Sequence, residues 1–242
     1  MKNYFIIFCL AFALSAFADN EVYVDQSGSN AAIDIEQLGS SNLIGGTDAV
    51  SGTMTALDLD GLRMTLDINQ IGSSNIFRSD AIDGDDATLF FEFDGDSNVW
   101  DMLMNSSGLV SSDFVNMNVD VTGSSNEFDV NIGEDSSASY LDLDWTILGD
   151  SNDLSFNIDY VNATNFMDIT GDSNTITFDG QGYGGTSSAD AGYFYLDLTG
   201  DSNTYDIKQQ STLARDYLKI ISTGSNSNVC VVQSDGGTST SC

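Results

Sequence analysis

The chain of 242 residues contains no histidine, no proline, only six lysines and arginines, and three cysteines. Each shortage excludes a class of function. Without histidine there is no Ser-His-Asp or Cys-His activation of a nucleophile, and no imidazole ligand for zinc or iron. The 37 acids give a formal charge of −31, which repels nucleic-acid phosphates and anionic lipid. Beyond the first residues the bases are Arg63, Arg78, Lys208, Arg215 and Lys219, too scattered to form a basic patch, so nucleic acid is not an expected partner. Missing proline suits a chain whose strands nearly all have neighbours on both sides and can spare no amide donor.

What is present argues for a fold. Hydrophobic residues make up 41% and aromatics 10%, enough to build a core despite the charge. Residues 1–18 read as a secretory signal peptide: Lys2, an apolar run from Tyr4 to Ala13, and Ala16-Phe17-Ala18 as the cleavage site. That run is shorter than the ~20 residues a spanning helix needs, and no stop-transfer segment follows, so no membrane span is expected once the signal is removed. Cys9 lies inside the signal. Cys230 and Cys242 remain, and outside the cell they can pair and tie a C-terminal tail, 234–242, back onto the last strand. Two free thiols, or pairing between subunits, fit the same sequence.

An internal repeat organises residues 19–242, which are expected to form a single domain. A corner recurs: Gly28-Ser29-Asn30, then seven copies of Gly-(Ser or Asp)-Ser-Asn, and finally Gly224 to Asn228 with one extra residue. The seven span Gly39 to Asn42, Gly72 to Asn75, Gly95 to Asn98, Gly123 to Asn126, Gly149 to Asn152, Gly171 to Asn174 and Gly200 to Asn203. The first spacing is 11; the later ones average about 26, within the period range of solenoids and propellers.

Four residues before each glycine stand Val24, Ile35, Ile68, Phe91, Val119, Trp145, Met167, Leu196 and Ile220, all apolar. One residue later stand mostly acids, and the position after that is again mainly apolar or glutamine. This period of two marks a strand with one buried face. Two residues after each asparagine come Ala32, Ile44, Phe77, Trp100, Phe128, Leu154, Ile176, Tyr205 and Cys230, so a second strand leaves each corner. Strand, corner and strand make an arch. Arches stacked at ~4.8 Å turn the apolar columns into a continuous core, an all-β solenoid of about nine Gly-x-x-Asn corners. Glycine supplies the positive φ of a sharp corner, and asparagine both tolerates left-handed backbone and can join a side-chain amide ladder. An antiparallel sandwich or barrel also yields short alternating strands, but the same corner would not then recur only once per repeat.

Where the corner is preceded by glutamine the chain resembles the curlin family, whose repeats carry Gln-x-Gly-x-x-Asn. Gln37-Leu38-Gly39-Ser40-Ser41-Asn42 and Gln70-Ile71-Gly72-Ser73-Ser74-Asn75 match, and Gln26-Ser27-Gly28-Ser29-Asn30 is one residue short. Later repeats put Phe93, Val121, Ile147, Ile169 and Leu198 in the glutamine place. The resemblance implies an exported, cell-surface subunit that stacks its arches end to end into adhesive amyloid-type fibres, as in pili and biofilms, helped by an export or nucleator protein.

Other chemistry is weaker. The acid pairs Asp58 with Asp60, Asp94 with Asp96 and Asp142 with Asp144 are spaced for acid-base work, yet 37 acids make such pairs inevitable and few cations are at hand to stabilise a transition state. Neither catalysis nor a cofactor is expected. Asp83-Gly84-Asp85-Asp86 offers hard oxygen ligands, but the Gly-Gly-x-Gly-x-Asp signature of calcium-binding rolls is absent, and Gly180 to Gly185 lacks its aspartate. The sequons at Asn105 and Asn162 are what a Ser- and Asn-rich chain yields by accident. The alternative to a fibre subunit is a monomeric acidic extracellular module that binds glycan or calcium.

Overall fold

The computed structural model describes residues 21–47, 54–55, 57–104, 114–133, 140–160, 163–182, 192–211 and 217–235. The expected signal segment 1–18, both sequon asparagines and Cys242 lie outside the described residues. Among those described there are 21 strands and no helix. Numbered in chain order, eight strands form one parallel sheet: β3 (Ala32–Leu38), β8 (Thr65–Ile71), β10 (Thr88–Asp94), β12 (Asn116–Thr122), β14 (Leu141–Leu148), β16 (Ala163–Thr170), β18 (Gly192–Thr199) and β20 (Tyr217–Thr223). The facing sheet has nine layers. They are β1 (Glu21–Val22) with β2 (Asp25–Ser27), β4 (Leu43–Ile44) with β7 (Leu57–Leu62), β9 (Ile76–Asp85), β11 (Val99–Met104), β13 (Glu127–Ile132), β15 (Asp153–Tyr160), β17 (Thr175–Gly182), β19 (Thr204–Ser211) and β21 (Asn228–Asp235). Among the described residues only β5 (Gly46–Thr47) and β6 (Met54–Thr55), between β4 and β7 in the chain, pair antiparallel. The chain is a two-sheet β-solenoid, and the parallel ladders exclude the antiparallel sandwich.

The strands alternate because their residues do. In the eight-stranded sheet Ile35, Ile68, Phe91, Val119, Trp145, Met167, Leu196 and Ile220 lie in one register column, as the sequence predicts. Opposite them Ile44, Phe77, Trp100, Phe128, Leu154, Ile176 and Tyr205 fill the column after the corner, and all seven are buried. The middle of the core is aromatic: Trp100 lies 4.9 Å from Phe91, 5.2 Å from Phe93, 5.4 Å from Phe128 and 5.8 Å from Trp145, ring centre to ring centre.

The outward faces carry the charge. One outward column of the eight-stranded sheet reads Glu36, Asn69, Glu92, Asp120, Thr146, Asp168 and Asp197, so neutral residues interrupt the acids. Two exposed carboxylates one layer apart repel by about 1 kcal/mol in a water-like dielectric, whereas a fully buried large apolar side chain contributes about 1.5 to 3 kcal/mol. With two such side chains buried per layer opposite each other, burial outweighs the repulsion.

Candidate functional site

Two features of this solenoid can do something beyond holding it together: the corner ladders, which set how one layer receives the next, and the ends of the stack.

The main corner is a four-residue turn in which each position has a separate task. The first glycine has φ between 126° and 153° from Gly39 to Gly224. The third residue is the left-handed one: Ser41, Ser74, Ser97, Ser125, Ser151, Ser173 and Ser202 have φ of 59–61°. This corrects the expectation for asparagine, which sits fourth, buried and outside the left-handed region, from Asn42 to Asn203. Its job is to accept. The backbone N–H of Asn75 donates to Asn98 Oδ1 at 2.9 Å, that of Asn98 to Asn126 at 2.8 Å, that of Asn126 to Asn152 at 3.0 Å, and that of Asn152 to Asn174 at 2.8 Å. The amide ladder is therefore side chain to backbone, not side chain to side chain. Some Nδ2 groups close onto glycine carbonyls, as Asn75 does on Gly72 and Asn98 on Gly95. The second position forms an exposed ladder in the opposite sense: the N–H of Asp172 donates to Asp150 Oδ1 and that of Asp201 to Asp172 Oδ1, both at 2.6 Å. Alternation of Ser and Asp there is explained, since either side chain offers the acceptor that a turn N–H requires.

Two corners of the expected nine are displaced. Gly28 and Asn30 belong to a second corner column on the opposite side of the coil, with Gly28 N–H donating to Asp60 and Asn30 N–H to Leu62. Asn30 is the left-handed residue there (φ 63°), followed in later layers by Arg63, Asp86, Phe114 and Tyr140. The initial spacing of 11 is thus half a coil, and Gln26 and Val24 lie in the facing sheet rather than in the Gln37 and Ile35 columns. At the other end Gly224-Ser225-Asn226-Ser227 makes a normal four-residue corner. Asn226 is left-handed at φ 60°, and Ser227 replaces asparagine in the ladder, its Oγ accepting from Asn203 N–H at 3.3 Å. No extra residue is present. Asn228 instead opens β21, and the register puts Val229 and Val231, not Cys230, in the inward columns of Tyr205 and Ile207. Cys230 faces outward beside Asp206 and is disulfide-bonded.

Glutamines form two short ladders. Gln70 Nε2 donates to Gln37 Oε1 at 2.7 Å, buried in the eight-stranded sheet. The other pair escaped the sequence reading: Gln233 Nε2 donates to Gln209 Oε1 at 3.2 Å in the facing sheet. The signal for it was the inward parity of Gln209 within β19.

The carboxylate candidates do not converge. Asp83 is buried, whereas Asp86 is exposed at the turn three residues on. Asp142 and Asp144 share the outer face of β14, where burial and the neighbouring Asp120, Asp142 and Asp168 raise the Asp144 pKa. Among the described residues no three Asp, Glu or Cys side chains meet where a metal could sit, and no helix is long and apolar enough to cross a membrane.

The ends of the stack differ. Among the described residues both sheets stop on an edge at the C-terminal end, β20 and β21, and the core stops with them: Val229 is 46% exposed, Val231 40%, and Leu218 and Ile220 are partly buried. At the N-terminal end β3 is the edge of one sheet, while β1 and β2 cover β4 and β7 in the other. No family model matches the chain, and no curated protein or solved structure is similar to it.

Proposed function

We propose that this protein is an exported structural or adhesive subunit that self-assembles by end-to-end stacking of its coils into a fibre, as its resemblance to curlins implies. The open C-terminal layer carries this reading. A protein that stays monomeric covers or blunts such an edge with proline, inward charge or a capping element. Here two inward residues of β21, Val229 and Val231, are valines 46% and 40% exposed, and β21 contains neither proline nor lysine. The one lysine of the edge, Lys219 on β20, lies 4.6 Å above the Tyr195 ring and so is drawn back along its own sheet. Apolar columns that end in solvent are satisfied by another layer of the same pattern, and a second copy supplies one. The outward acids oppose this, because layers ~4.8 Å apart are well inside the ~10 Å Debye length at 0.1 M salt.

Purified protein lacking residues 1–18 is followed by light scattering and negative-stain microscopy at low salt, raised salt, millimolar calcium and a pH near 4. Added salt, calcium or acid is expected to speed growth of unbranched fibres. A protein that stays monodisperse under all these conditions overturns the proposal and favours a monomeric binding module.

A further inference from the structure

The two sheets do not contain the same number of layers. Among the described residues one has eight and the other nine, because the first and last described strands both lie in the facing sheet. The consequence for stacking is arithmetic. Each whole copy added head to tail contributes nine layers to one sheet and eight to the other, so at every joint one strand position in the eight-stranded sheet is left empty. A gap of one strand, ~4.8 Å, leaves the amides of β20 and of the next β3 unpaired in the middle of a fibre.

The surplus half-coil is residues 21–27. It is also the weakest layer. It is broken into pieces of two and three residues, and none of its side chains is fully buried. The layer beneath it, β4 with β7, is continuous with the core: Ile44, Leu57 and Leu59 are all fully buried. We infer that residues 21–27 are a removable cap, and that the surface which receives a second copy is β3 together with the β4 and β7 edge that this cap covers. This rests on the stacking reading above.

With the cap displaced, each copy adds eight layers to both sheets and the joint closes without a gap. The register columns then fix its chemistry. In the eight-stranded sheet Leu218 meets Ile33 of the next copy, Ile220 meets Ile35, and Lys219 meets Asp34. The single cation of the C-terminal edge therefore lands on a carboxylate column, Asp34 followed by Asp67, rather than on another cation. In the facing sheet Val229 meets Ile44 and Gln233 meets Leu59. If the cap stays in place, Val229 and Gln233 meet Val22 and Gln26 instead, and Lys219 faces the empty strand position rather than Asp34.

The test compares the parent with Val22→Asn/Val24→Asn, which loosens the cap without adding charge and alters no residue of the proposed joint. Unseeded growth is followed by light scattering, and hydrogen exchange of residues 21–27 is measured in parent monomer and in parent fibres. The variant is expected to shorten the lag about tenfold, as the uncapped fraction rises. Residues 21–27 are expected to exchange more slowly in the monomer than in the fibre. A variant that nucleates no faster, with residues 21–27 protected in parent fibres, overturns the cap and leaves end-to-end stacking intact. If neither protein forms fibres, stacking itself falls and the cap with it.

Discussion

Replacing Gly123 with alanine in a central layer isolates what the corner demands. A Cβ built there lies 2.0 Å from the Gly95 carbonyl oxygen and 2.6 Å from its carbon, and φ is +135°. Both obstacles are backbone atoms of the adjacent layer, so no side-chain rotation relieves them, and the cost is about 3 to 5 kcal/mol. Asn126→Leu keeps the branched shape of the side chain but removes the acceptor 2.8 Å from the Asn98 N–H, leaving a buried donor unpaired at about 1 to 3 kcal/mol. Ser124→Ala also deletes an acceptor, the hydroxyl 3.1 Å from the Asp150 N–H, but that site is exposed and water replaces it, at about 0.5 kcal/mol or less. For a domain of this size 1 kcal/mol moves Tm by about 2 to 4 °C. Thermal melts by circular dichroism should therefore order the variants Gly123→Ala, then Asn126→Leu, then Ser124→Ala, with Gly123→Ala at least about 6 °C below the parent. Three variants melting with the parent, or Ser124→Ala falling furthest, would refute the division of labour within the corner.

The left-handed position should behave differently: Ser125→Gly keeps or raises Tm by up to about 1 kcal/mol equivalent, whereas Ser125→Val lowers it, since a β-branched residue resists φ near 61°. Burial, then Asp120, Asp142 and Asp168, raises the Asp144 pKa; burial and Asp129 raise that of Asp101 against the opposing Arg78. A carboxyl with a raised folded pKa binds its proton more tightly folded than unfolded, so its destabilising effect at neutral pH disappears as pH falls through that value. Melting by calorimetry should accordingly show a Tm contribution from these two groups that improves as pH is lowered from neutrality through their raised pKa values, and Asp144→Asn should remove part of that change. If Cys230 pairs with Cys242, non-reducing mass spectrometry will show the loss of two hydrogens that reduction restores; two alkylatable thiols would remove the staple. Lysines at Val229 and Val231 should block fibre growth in light scattering while the circular dichroism of the subunit stays that of the parent.

The layered fold was legible because its columns are chemical: an apolar residue stands four before the glycine from Ile35 to Ile220, and only in-register stacking aligns such a column. The second corner was hidden because it shares a backbone angle rather than a residue type. Asn30, Arg63, Asp86, Phe114 and Tyr140 all adopt φ of 54–63°, and nothing in their chemistry announces it. Gly28-Ser29-Asn30 mimicked the main corner closely enough to be grouped with it, although the spacing of 11 was the sign of a half coil. At the C-terminus the second asparagine of Ser225-Asn226-Ser227-Asn228 drew the ladder one residue too far, which moved Cys230 to the wrong face. Which serine or asparagine takes the left-handed angle depends on the hydrogen bonds of adjacent layers, information that a linear motif does not carry. The half-coil surplus followed only from counting layers in each sheet.

Mass per unit length of the thinnest fibres, measured by scanning transmission electron microscopy, tests end-to-end stacking most directly. Eight layers per copy at ~4.8 Å predict one chain per about 38 Å of fibre. A density equivalent to chains laid side by side, several per 38 Å in an unbundled filament, or a preparation that yields no filament at all, would contradict it.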